Sequence, residues 1–270
     1  MKSLIAIFIL FFIVNTTYAQ LKQDGAWKKN ILEREPIAYQ AVREADVFWS
    51  KRLWRIIDTR EKQNLIFTYP KMLLAEILHT AALNGEITAY DNTVLNGDQF
   101  KMELPPEKIG IIGKSIDSMW GLNPITQEPE LIISEEKLDY SKIKRFKIKE
   151  DWFFNIATST MEVRIIGIAP LLETYDESGN YLGDETLYWL YYPDLRPVLA
   201  KVEAYNAGNN AVRLSWDDIF EARIFASYIY KEDNVYDRNI SEYATAIDAL
   251  FESERIKEKI FNFEHDLWSY

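Results

Sequence analysis

The 270-residue chain contains no cysteine. That excludes disulfide staples, thiol catalysis and cysteine metal sites, and it removes the thiol on which a bacterial lipid anchor is built. Histidine is nearly absent as well, with only His79 and His265 to serve any acid–base scheme. Ten glycines and nine prolines are too few for a collagen-like or low-complexity scaffold. Positive charge is in deficit, 31 Lys and Arg against 42 Asp and Glu for a net −11. A surface of that sign repels nucleic acid and anionic lipid at long range, so any anion contact must be a local patch. Neither a phosphate-cradling glycine pattern nor a nucleophile elbow occurs. The one long apolar run, Leu4 to Val14, is shorter than the about twenty residues that a membrane-spanning helix needs.

What that run does fit is an export signal. Lys2 supplies a positive start, and Thr17-Tyr18-Ala19 supplies the small residues at which such a signal is cleaved. The expected organisation is a signal peptide at 1–19, an extended arm at 20–45, and a single α+β domain at 46–270. An exported, thiol-free chain folds by core burial or by assembly, and the periplasm of a Gram-negative cell is the expected compartment. At 48% apolar residues the material for a core is present.

Periodicity sketches the elements. Trp49, Leu53 and Ile56 fall at i, i+4, i+7, which predicts an amphipathic helix over 46–63. Pro70 is expected to open a second helix with Leu74, Ile77, Leu78 and Ala81 on one face and Asn84-Gly85 as its stop. Residues 87–90 read as a strand, and 91–141 as short strands broken by glycine and proline. At 144–154 the apolar Phe146, Ile148, Trp152 and Phe154 alternate with Arg145, Lys147, Lys149 and Asp151, which predicts a strand with one wet face. Further strands are expected at 161–168, 187–192 and 198–205, antiparallel because their connections are short. Beyond residue 210 the chain reads as helical to its end, with Ser215 capping one helix and Ile256, Ile260, Phe263 and Leu267 forming the stripe of the last. The expectation is an α+β fold with a mostly antiparallel central sheet at about 144–205, packed by N-terminal and C-terminal helices.

Chemistry is sparse. His79 reads as a packed residue at a helix flank. Glu264-His265-Asp266 resembles a ligand set only on paper, because successive helical residues point about 100° apart. Glu150 and Glu162 on neighbouring strands offer a carboxylate pair of the kind glycosidases use. With eight Trp, sixteen Tyr and fourteen Phe available for stacking, this leaves an exported carbohydrate-active hydrolase or glycan-binding module as the rival reading. The one feature against the acidic background is a basic stripe of Lys142, Lys144, Arg145, Lys147 and Lys149. Like charges so close require acidic neighbours, either within the chain or on a partner. These five residues are the candidate partner-binding site.

Several segments together resemble a known family. They are Trp49-Ser50-Lys51-Arg52-Leu53-Trp54-Arg55, Ile148-Lys149-Glu150-Asp151-Trp152-Phe153-Phe154, Tyr191-Tyr192-Pro193-Asp194-Leu195-Arg196-Pro197, Tyr228-Ile229-Tyr230-Lys231-Glu232-Asp233 and Glu264-His265-Asp266-Leu267-Trp268. In this order they are similar to the gliding motility protein GldN, called PorN in non-gliding relatives, over most of the chain that follows the signal. The resemblance implies a periplasmic component of the type IX secretion system of Bacteroidetes. It implies a ring shared with the lipoprotein GldK/PorK beneath the outer membrane, self-association within that ring, and contact with the motor component GldM/PorM. It implies no catalytic activity, cofactor or metal.

Overall fold

The computed structural model describes residues 31–93, 97–122, 129–136, 138–176, 178–206, 208 and 212–267, with the backbone alone described at 115–122 and 129–136. The expected signal peptide and the first part of the arm lie outside these residues.

The stretch expected as the first helix is instead a twelve-residue strand, β1 (Val47–Asp58). It pairs on one side with β6 (Arg145–Asn155) and on the other with β12 (Tyr228–Glu232), antiparallel in both cases. Pairing on both sides explains the misleading period. Leu53 and Ile57 are buried on one face and Trp54 on the other, so apolar residues occupy both parities and mimic a helical repeat. Valine, isoleucine and the large aromatics of this segment suit a pleated surface.

The main sheet runs β12-β1-β6-β7-β9-β2-β3. Its remaining members are β7 (Thr160–Tyr175), β9 (Trp189–Tyr191), β2 (Ala89–Tyr90) and β3 (Glu103–Leu104), and β8 (Tyr181–Thr186) pairs with the far end of β7. The sheet therefore reaches well beyond the expected 144–205, from Val47 to Glu232, and the α+β class stands. A separate hairpin of β4 (Ser115–Leu122) and β5 (Pro129–Glu136) carries eight residues on each side, longer than the broken pattern there suggested.

Helices cover one face. They are α1 (Leu74–Leu83), the single turn α2 (Pro106–Ile109), α3 (Tyr192–Lys201), α4 (Trp216–Glu221) and α5 (Ile247–Leu267). Thus α1 starts four residues after Pro70, and Gly85 stops it in the left-handed region, at φ 71. Residues 198–205, expected as a strand, begin as the last turn of a helix that ends at Lys201. Pro193 sits in the first turn of α3, where proline is pre-organised, and Leu195 and Leu199 bury at i, i+4; only Glu203–Ala204 (β10) is extended, paired with Leu214–Ser215 (β11). Ser215 caps α4 as expected, in a reciprocal box with Asp218.

The core gathers Ile57, Phe146, Ile148, Ile165 and Ile168 from the sheet against Leu74, Leu78, Leu195, Leu199, Trp216 and Phe220 from the helices. Further along the same face, α5 lays Ile256 and Ile260 over Leu53 and Ile229. Its Ser253 hydroxyl accepts the backbone N–H of Ile229 at 2.9 Å, tying the helix to the edge strand. Each side of the sheet is hence partly covered, because Trp54, Ala169 and Trp189 form a smaller cluster with Tyr90, Phe100 and Tyr230 on the other face.

Candidate interaction surfaces

The basic stripe lies on that second face, and the face is not the wet one its alternation suggested. Lys149 is buried. Its ammonium donates to the Asp98 carbonyl at 2.6 Å, stands 3.2 Å from the Asp98 carboxylate, and rests over the rings of Trp54 and Phe100. Lys147 donates to the Thr186 hydroxyl at 2.8 Å and lies over the Tyr230 ring. Burial pulls both ammonium groups below their ordinary pKa, and the nearby Asp98 works against that pull. Arg145 bridges Asp58 and Asp184, and Lys144 meets Glu173 at 3.2 Å. Lys142, at the end of a short turn, is exposed. Four of the five cations thus have acidic or hydroxyl neighbours within the chain.

What positions Lys149 is a close backbone approach. Phe100, with φ 55, folds its ring onto Gly167 of β7, where an added Cβ would stand 2.5 Å from the ring. Asp98 in the same loop also accepts the Trp54 indole N–H at 2.8 Å. The stripe's signal in the sequence was real, but its lid lay fifty residues upstream in a segment without periodicity.

A second surface is made by the arm, whose seat on the body the sequence did not show. The arm residues 31–40 dock on the body through side chains. Ile31 is buried against α3, and Arg34 grips Asp218 of α4 with two bonds of 2.7 and 3.1 Å. The Tyr39 ring is sandwiched between the guanidinium groups of Arg164 and Arg196, each 4.1 Å from its centroid. The Tyr39 hydroxyl donates to Glu221; burial and that carboxylate both hold it protonated far above neutral pH. Behind the clamp, Arg196 forms a buried bidentate pair with Asp217. Between its anchors the arm arches over a cavity of about 300 Å³. A lone tyrosine in a polar arm was the only trace of this site in the sequence.

A third surface is α5 itself. Opposite its packed face, Ile247, Leu250, Phe251 and Phe261 share an outward stripe with Glu254 and Glu258, and Phe251 is 68% exposed. In the chain between β12 and α5, the loop after β12 presents Val235 and Tyr236 to solvent on a turn that Asn234 fixes with four hydrogen bonds.

The groups proposed for other chemistry are engaged. Glu150 is fully buried, 2.9 Å from Arg223 and bonded by the Trp152 indole. Glu162 accepts from Asn155 and Arg164. The two carboxylates are therefore each held by their own cation and do not present a shared cleft. Trp54, Trp189 and Trp216 are buried, and Trp49 and Trp152 pack against the α5 cluster, so the five indoles among the described side chains serve packing. His79 is buried with its Nδ1 3.1 Å from the Tyr188 hydroxyl, and burial lowers its pKa. His265 sits near the end of α5. Among the described residues no group of three or more acidic or histidine side chains could hold a metal ion, and no helix is long and apolar enough to cross a membrane.

The described residues thus combine a layered, mostly antiparallel sheet with a docked arm, an outward apolar helix stripe and a presented loop. The chain belongs to the family of the gliding motility associated protein GldN, whose family model matches residues 42–269. It is thereby a component of the gliding motility and type IX secretion machinery. No curated protein matches it.

Proposed function

We propose that this chain is a periplasmic structural and coupling subunit of that machinery. In this reading it forms a ring with a GldK/PorK-like lipoprotein under the outer membrane and meets a GldM/PorM-like motor component. The observation that carries the reading is the outward stripe of α5. Four large apolar side chains stand on the solvent side of a helix whose other side is already committed to the sheet, an arrangement that costs solubility unless a partner covers it. The lipoprotein partner supplies the membrane anchor that a cysteine-free chain lacks. Within the basic stripe, Lys142 and the half-exposed Lys144 are the members available to such a partner, while Lys147 is engaged by Thr186 and Lys149 holds the loop at 97–100.

The test is purification of the tagged chain from detergent-solubilised envelopes. The wild-type chain is expected to bring down the lipoprotein and further copies of itself. The variant Phe251→Asp is expected to fold with unchanged thermal stability and to lose at least tenfold of the recovered lipoprotein. Recovery of the wild-type chain as a lone monomer would overturn the reading.

A further inference from the structure

We infer that segment 31–40 is exchanged between copies, so that in the assembly the arm seated on the α3–α4 groove of one chain comes from a second copy of this chain. The inference rests on the assembly reading above and names one of its contacts.

Three features of the dock point this way. Its grip is made by side chains: the guanidinium fork on Asp218, the tyrosine between two arginines, the hydroxyl on Glu221 and the Arg164 donor to the Gln40 carbonyl at 3.4 Å. Among the described residues no backbone-to-backbone hydrogen bond joins 31–42 to the body. The groove therefore recognises the Arg34-to-Tyr39 spacing and the charges on it, and it receives a neighbour's segment as well as its own. Next, 41–43 are neither helix nor strand, and the first turn anchored to the body is closed by Arg43 on Asp46. That gives a hinge directly before β1, with a reach of about 3.3 Å for each residue that extends.

Finally, the docked arm turns large apolar side chains away from the groove. Leu32 is 69% and Ile37 85% exposed while Ile31, Arg34 and Tyr39 point inward. Within one chain those two residues are left mostly to solvent. When the arm crosses to a neighbour it lies along the junction of two bodies, and both are enclosed. On the receiving side the carboxylates of Asp218 and Glu221 on α4 match the guanidinium and hydroxyl donors that enter it.

The absence of cysteine makes the test clean. Ala38 and Ala200 line the same cavity, one on the arm and one on α3, and neither makes an anchoring contact. Two differently tagged full-length chains, one Ala38→Cys and the other Ala200→Cys, are co-expressed and the assembly is treated with a short bis-maleimide linker. The expected result is a linked dimer of the two tags, and for the double variant A38C/A200C a ladder of linked chains. Linking of the double variant only within single chains would overturn the exchange. Should the assembly keep its size while links form only within chains, exchange alone fails; a chain that stays monomeric fails the assembly reading as well.

Discussion

Gly167 shows how one absent methyl group organises a surface. The Phe100 ring occupies the space a side chain would take, and that ring together with Trp54 covers the Lys149 ammonium. Gly167→Ala therefore forces the ring off the sheet, at a cost of about 1–3 kcal/mol for an overpacked contact. The expected readout is a lower thermal midpoint with faster backbone hydrogen exchange at 97–100; an unchanged midpoint would mean the ring yields freely. The same residues show what the sequence could tell. The clustering of Lys147 and Lys149 with alternating aromatics was visible. Their engagement by Thr186 and Asp98 was not, because those partners are 39 and 51 residues distant and set by the topology.

At the scale of elements, α5 is held by little for its length. Of its 21 residues only Ser253, Ile256 and Ile260 are buried, with Phe263 stacked on Trp49 at 4.7 Å. Ile256→Ala is expected to remove about 2–5 kcal/mol through lost burial and the cavity left behind. The loss should appear as early unfolding of α5 and β12 in hydrogen exchange, ahead of the core around Trp216; simultaneous loss of both would show one cooperative unit. This helix was legible because Ile256, Ile260 and Phe263 recur at a strict helical period. β1 was not, because a strand covered on both sides has no alternation to read, and α3 was obscured by Val198 and Val202, whose branching suits strands. β12 escaped because five residues of mixed polarity at a sheet edge carry almost no pattern.

For the molecule as a whole, ionic pairing sets the acid limit of the fold. Burial is the largest single influence on Asp58, Glu162 and Glu173 and pushes them upward, but the opposing bonds taken together leave all three below their ordinary values of 3.8 and 4.5. Those bonds come from Arg60 and Arg145 at Asp58, from Asn155 and Arg164 at Glu162, and from Tyr175 and Lys144 at Glu173. A lowered carboxyl binds fewer protons folded than unfolded, so its contribution is complete above the ordinary value and is lost as pH falls through the folded one. The thermal midpoint is expected to stay level from pH 7 to about 5 and to fall steadily below about 4.5. Asp58→Asn should start lower and fall less, whereas a level midpoint down to pH 3 would contradict the assignment.

The long ladder between β1 and β6 has a mechanical consequence. Eleven register positions join these two strands, from Val47 with Asn155 to Asp58 with Arg145. Tension applied through the arm enters β1 at its first residue and runs along the strand axis. The rungs are then loaded together, in shear, and none can be opened singly like the teeth of a zip.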